Sequence, residues 1–129
     1  EEQGLDVVAL PRTLSLRLPD AWSHGNPIDV LGDAQVDRYQ EVLQKLARSH
    51  SFYDSLVVML TPQEMSDAEA VAREVVRFAR GTKKTVVCCF MGYRSVRTAK
   101  ELLEKSHIPC FHEADDVARV LALRFQGKN

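Results

Sequence analysis

The sequence predicts a three-layer α/β sandwich built on a mainly parallel sheet of about four to five strands. Two observations carry that prediction. The runs SLVVML (55–60) and TVVCCF (85–90) are apolar without alternation, as in strands covered on both faces. Stretches with apolar residues at helical spacing separate the strand-like runs, which is the signature of βαβ units.

Taken in order, Leu5–Leu10 reads as a first strand closed by Pro11. Thr13, Leu14, Leu16 and Leu18 suggest a short helix before Pro19, in the least regular part of the chain. Ile28–Leu31 is a short apolar stretch ending at Gly32, and Asp33 is placed to cap a helix from Ala34 to about Arg48. Within it Val36, Tyr39, Leu43 and Leu46 share one face. After the strand 55–60, Ser66 and Glu69 form a capping box for a helix that turns Ala68, Val71, Ala72, Val75 and Ala79 inward and stops at Gly81. The strand 85–90 follows, and Ser95 is placed to cap a helix carrying Val96, Ala99, Leu102 and Leu103. Ile108–Phe111 forms a short strand, and Ala114, Val117, Ala118, Leu121 and Phe125 line a final helix. Right-handed crossovers between such strands give a flavodoxin-like (Rossmann-like) sandwich, one domain over residues 1–129.

Composition narrows the function classes. Seventeen basic and eighteen acidic side chains leave a formal charge of −1, and the basic residues are scattered, so nothing points to nucleic acid or an anionic membrane. Lys83-Lys84 reads as a solvated loop. Apolar runs of strand length are far short of the roughly 20 residues that cross a bilayer. No signal-peptide pattern follows Glu1-Glu2, and the absent initiator Met suggests a start inside a longer product. Cys88, Cys89 and Cys110 match neither a metal site nor a disulfide framework, so they read as buried strand residues in a reducing cytoplasm.

Ligands of open parallel sheets bind beyond the carboxyl ends of the strands. That rule selects the loops at 11–13, 32–33, 61–64, 91–94 and 112–113. Gly32, Asp33 and Ala34 open a helix whose free N–H groups can hold a phosphate, although the Asp33 carboxylate would oppose a dianion. Gly92 suits a backbone shape closed to other residues, and Arg94 offers a partner for a carboxylate or phosphate or simply faces solvent. Asn26-Pro27 favours an extended turn; Asp29, within an apolar stretch, either orients that loop or orients a ligand. His24, His50, His107 and His112 have no acidic neighbour at dyad or metal spacing and read as surface or capping residues, with His24 and His112 of interest as loop residues. No P-loop, Gly-rich dinucleotide fingerprint, Ser/His/Asp series or metal-ligand spacing occurs, so no catalytic residue and no metal ligand is assigned.

Three motifs then carry a resemblance: GNPIDVLGDAQVDRYQEVLQKL (25–46), SLVVMLTPQEMSDAEAVAREV (55–75) and FMGYRSVRTAKELLEKSHIPCFHEADDVARVLA (90–122). In that order they resemble the C-terminal flavodoxin-like region of the CoA-binding subunit of ADP-forming acetyl-CoA synthetases, in the succinyl-CoA synthetase superfamily. The resemblance implies a parent enzyme that joins an acid to CoA at the expense of a nucleoside triphosphate, using CoA, ATP/ADP, Mg and phosphate, with no cofactor assigned to this segment. It implies a phosphohistidine stabilised by two helix N-termini, one of them matching Gly32-Asp33-Ala34. Asn26 and Asp29 match the lead-in; Thr61, Gln63, Met91 and Gly92 match neighbouring loops. Tyr93 stands where the family usually has a second glycine, which narrows or reshapes that loop. The phosphorylated histidine, the CoA-binding domain and the ATP-grasp domain belong to other segments, so these are the expected partners and the fragment alone is expected to be inactive. The family's first strand here lies upstream of Glu1, and an unpaired sheet edge would favour a homodimer of the fragment. Two alternatives stand beside this reading: a regulatory or assembly module of a synthetase-like protein lysine acetyltransferase, and a stand-alone binding scaffold.

Overall fold

In a computed structural model, which describes residues 3–62 and 67–126, the chain forms seven elements. They are α1 (Val36–Arg48), β1 (Ser55–Leu60), α2 (Ala68–Arg80), β2 (Thr85–Phe90), α3 (Arg97–Lys105), β3 (Cys110–Phe111) and α4 (Ala114–Gln126). The described strands make one parallel sheet in the order β1-β2-β3, with Ser55 opposite Thr85 and Cys88 opposite Cys110. The flavodoxin-like α/β class is therefore as expected, with three strands among the described residues and not four or five.

The missing strands lie in the N-terminal third. Leu5–Leu10 and Ile28–Leu31 have no ladder partners, and residues 13–18 are not helical. Leu14, Leu16 and Leu18 alternate inward with period two, which fits an extended segment and conflicts with a 3.6-residue helix. Turns close at Leu14 N to Pro11 O and Trp22 N to Pro19 O. Backbone groups of this segment find side chains in place of strands: Arg17 N donates to Glu41 Oε1, and Val8 O accepts from Asn26 Nδ2.

Two apolar layers sandwich the sheet. On one face α1, α2 and α3 pack over Val58, Leu60, Val86, Cys88 and Phe90, with Val71, Ala72, Val75 and Leu103 at most 1% exposed. Val8, Ile28 and Val30 from the N-terminal segment complete that layer. On the other face α4 sets Val117 and Leu121 against Val87 and Cys89. Because α4 contacts β2 and β3, the same face of β1 stays bare: Val57 is 37% and Met59 46% exposed. The expectation of two-sided burial holds for β2 and fails for β1. All three cysteines are buried in the sheet, and burial pushes their thiols up, most strongly at Cys88.

Several element boundaries also differ from expectation. Helix α1 begins at Val36 with Gln35 as an N-cap lacking a side-chain bond, so Asp33 caps nothing. The α2 cap is Asp67, accepting from Ala70 N at 3.0 Å, while Ser66 lies outside the described residues. Ser95 stays in the turn before α3, whose N-cap Val96 makes no side-chain bond. The last strand shortens to two residues because Pro109 has no N–H for the ladder; its carbonyl still accepts from Cys88 N. On α4, Ala114 is exposed and Ala122 takes the inward place. No described helix is long and apolar enough to cross a membrane.

Candidate functional site

A parallel sheet with crossover helices sends every helix start to the carboxyl ends of the strands, and the site is assembled there. The lead-in to α1 is a chain of side-chain bonds. Ser23 Oγ lies 2.6 Å from Pro27 O and accepts from Asp29 N at 2.9 Å. Asp29 Oδ1 accepts from Leu31 N at 2.8 Å, closing an Asx turn in which Leu31 takes φ 74°. Asn26-Pro27 is cis. Asn26 and Asp29 thus hold the loop; of the two readings left open for Asp29, orienting the loop is the one its bonds support.

Arg38 completes this lead-in, and its pattern in the sequence had not singled it out. Its Nη1 donates to Val30 O at 2.8 Å and to Asp33 Oδ1 at 2.7 Å, while Nη2 reaches Asp33 Oδ2 at 3.3 Å. Hydrogen bonding to Arg38, then its charge, holds the Asp33 carboxyl below the ordinary aspartate range. A depressed folded value stabilises above the unfolded value and is lost as pH falls through the folded one. Arg38→Gln is therefore expected to raise the Asp33 titration toward that of a free aspartate, read by carboxyl-carbon NMR. An unchanged titration would show that the pair does not form in solution.

Gly32 sits in the turn beside Asp33, both exposed, while Ala34 is buried with its N–H donating to Leu31 O. Arginine at position 38 follows Asp33 by five residues, a spacing that spans the non-helical turn; helix pairing rules of three or four residues do not find it. Tyr39, one turn into α1, ties this region to the sheet through its hydroxyl, 3.4 Å from Met59 O. Burial, then the charge of Asp29, raises the Tyr39 phenol, which stays protonated and donates.

The next loops meet directly. Met91 N donates to Leu60 O at 2.9 Å, and Thr61 Oγ1 lies 3.6 Å from Met91 Sδ. Gly92 has φ 93°, and a Cβ there would lie 3.1 Å from Ser95 Oγ and 3.5 Å from Pro62 Cγ. The positive φ favours glycine, and a Cβ would also crowd the Ser95 hydroxyl. Gln63 lies outside the described residues. Tyr93, 71% exposed, leaves the turn sideways and stacks on His112 with ring centroids 4.2 Å apart.

His112 is the histidine the loop rule left in play, and it is bonded on both nitrogens. A carbonyl only accepts, so Nδ1 donates to Phe90 O at 3.2 Å, and Nε2 is left to accept from Lys100 Nζ at 3.5 Å. His24 Nε2 bonds Asp20 O, and its ring packs on Trp22. The structure therefore brings Thr61, Met91 and Gly92 together, and places Gly32, Asp33 and Ala34 on a separate lead-in joined to β1 through Tyr39. Among the described residues no group of three or more His, Cys, Asp or Glu could hold a metal.

Helix α2 is capped by Asp67 and α4 carries Asp115 and Asp116 in its first turn, whereas α1 and α3 start without a side-chain cap bond. Helix α3 has no acid in its first turn; α1 has Asp37. Such ends offer unpaired N–H groups and a positive partial charge to an anion.

Comparison with known proteins adds relatives of this chain. No protein-family profile matches the chain. It is 36% identical over 117 residues to an ADP-forming acetate–CoA ligase of Archaeoglobus fulgidus, covering 91% of this chain and 16% of that protein. It is 27% identical over 117 residues to an ADP-forming 4-hydroxybutyrate–CoA ligase of Nitrosopumilus maritimus, covering 91% of this chain and 17% of the ligase. An acetyl-coenzyme A synthetase structure from Candidatus Korarchaeum cryptofilum, apo form, superposes with a TM-score of 0.82 at 22% identity, over 94% of this chain and 28% of that one. This last likeness establishes the fold. The chain spans about a sixth of the length of these two ligases.

Proposed function

Because this chain is related over nine-tenths of its length to a segment of ADP-forming acyl-CoA ligases, we propose that it serves as one domain of such an enzyme, facing a phosphoryl group with the start of α1. The reaction of the whole protein would join an acid to CoA as ATP becomes ADP and phosphate. A phosphohistidine on another domain would carry the phosphoryl group, and the CoA-binding and ATP-grasp domains would hold CoA, the nucleotide and magnesium. This segment contributes no nucleophile; it supplies fixed dipoles where negative charge collects.

One observation carries the reading: the Asp33 carboxylate, the obvious obstacle to an anion at this helix start, is neutralised by Arg38 at 2.7 Å. With that charge paired, the uncapped N–H groups at the start of α1 face an incoming phosphoryl group beside the Asp33–Arg38 pair, against the remaining carboxylate of Asp37 in the first turn. The Gly92 turn and the uncapped start of α3 lie at the same ends of the strands and support the same role.

Titrating the ¹⁵N-labelled chain with inorganic phosphate tests this. Amide shifts are expected at residues 31–37 and 92–97, weak in the isolated domain because the second helix end is absent. Shifts confined to other residues would sink the proposal. So would synthesis of acyl-CoA by the 129-residue chain alone, since that would place a nucleophile within it.

A further inference from the structure

At the opposite end of the sheet, the amino ends of β2 and β3 open on a cleft of about 420 Å³. That volume falls within the range of small-molecule sites, roughly 300–1,000 Å³. Its wall is apolar where the C-terminal half of α4 passes, through Val120 and Leu121, and continues into Val87 and Ile108. Four groups of the cleft carry or can take positive charge: Lys83, Lys84, His107 and Arg124. No aspartate or glutamate lines it among the described residues.

A bland account would assign those cations to the C-terminal dipoles of α2 and α3, which end here. The backbone already satisfies the ends of α2 and α3, while Arg124 also lies in the last turn of α4. Gly81 N donates to Phe78 O and Thr82 N to Ala79 O; Ser106 N donates to Leu103 O and His107 N to Glu104 O. Lys84 Nζ lies 5.5 Å over the Tyr53 ring, which fixes one charge at the rim. Lys83 and Arg124 are exposed and have no ion-pair partner among the described residues.

From this arrangement we infer that the cleft binds a small organic phosphate, its dianion between Lys83 and Arg124 and its apolar body against Val120 and Leu121. Several cations around one opening favour a dianion over a single carboxylate, and the apolar wall favours an organic ester over inorganic phosphate. The site is independent of the phosphoryl-facing loops, which lie at the other ends of the strands.

The test uses 1-naphthyl phosphate as probe against the ¹⁵N-labelled chain, with 1-naphthol and inorganic phosphate as controls. Expected are amide shifts at residues 83–87, 107–108 and 120–124, and binding about tenfold weaker for each control. Lys83→Gln with Arg124→Gln, both exposed and remote from the core, should weaken the probe by about tenfold. Raising salt on the unaltered chain should weaken it too, which keeps the test decisive if the double variant folds poorly. Equal affinity for 1-naphthol, salt-independent binding, shifts at residues 31–37 in place of the cleft, or no shifts at all would overturn the assignment.

Discussion

Replacing Phe90 with alanine is expected to lower the stability of the chain by about 3–5 kcal/mol. Phe90 is the largest of the fully buried side chains, at 0% exposed, and ends the central strand β2. It packs within the layer formed by α1, α2 and α3, where helices and sheet close over it from several directions. Leu60 pairs with it across the ladder, and Val58 and Leu103 belong to the same buried cluster, each anchored in a regular element, so the space left by the ring cannot collapse cheaply. A domain of this size has on the order of 5–15 kcal/mol in hand, so one truncation would remove a large share. Urea denaturation followed by circular dichroism would show the midpoint falling by on the order of 2 M at an unchanged slope. A loss below about 1 kcal/mol would mean that the layer repacks, and would contradict the packing described here. The truncation leaves the Phe90 carbonyl in place, so the His112 bond to it should persist.

The second large effect belongs to Gly92→Val. Position 92 has φ 93°, where a β-branched residue is strained, and its Cβ would press on Ser95 Oγ at 3.1 Å and Pro62 Cγ at 3.5 Å. The cost is about 1–3 kcal/mol if the loop keeps its shape. If the loop instead relaxes, the turn into α3 moves away from Thr61 and Met91. If this chain serves as proposed within a complete ligase, misplacing the loop proposed to face the phosphoryl group should reduce kcat by about 10²–10³ while substrate KM changes little. Equal activity of the variant, with the loop shifted by NMR, would remove Gly92 from the proposed site. Gly92→Ala provides a milder comparison, since it keeps the unfavourable φ with less bulk. Both variants place a Cβ at a positive φ, so the difference between them reports the bulk that valine adds beyond Cβ.

The N-terminal third shows where pattern reading goes astray. Leu14, Leu16 and Leu18 suggest a short helix by composition, but they recur with period two, which fits an extended chain covered on one side. Whether that chain joins a sheet depends on a neighbour offering its backbone groups. Here Glu41 and Asn26 side chains serve those groups, so the segment packs without becoming a strand. Helix starts fail for a related reason: Asp33 and Ser95 are good capping residues by type, yet neither forms the N-cap. Asp33 is held by Arg38, and Ser95 lies in the turn one residue before the N-cap Val96. A side chain with a stronger partner in space does not cap the nearest helix.

The site divides in the same way. Gly32, Gly92 and the loops after each strand are legible because glycine and strand ends have local meaning. Arg38, Ser23 and the Tyr93–His112–Lys100 group are not, because each matters through a partner between 4 and 19 residues away. Spacing of that kind is set by how the loops cross, and the chain alone does not record it.

Two of the three sheet runs illustrate what each level decides. SLVVML and TVVCCF are near-equal apolar hexamers, and the sequence by itself determined that both are strands, that helices separate them and that the class is α/β. It also marked most inward positions of the helices, Ala114 of α4 excepted, because burial of an apolar stripe is a local consequence of the 3.6-residue repeat. Only the tertiary structure decided that β2 is covered on both sides while β1 bares Val57 and Met59. Coverage of a sheet face depends on where a helix sixty residues later comes to rest, and α4 packs mainly on β2 and β3.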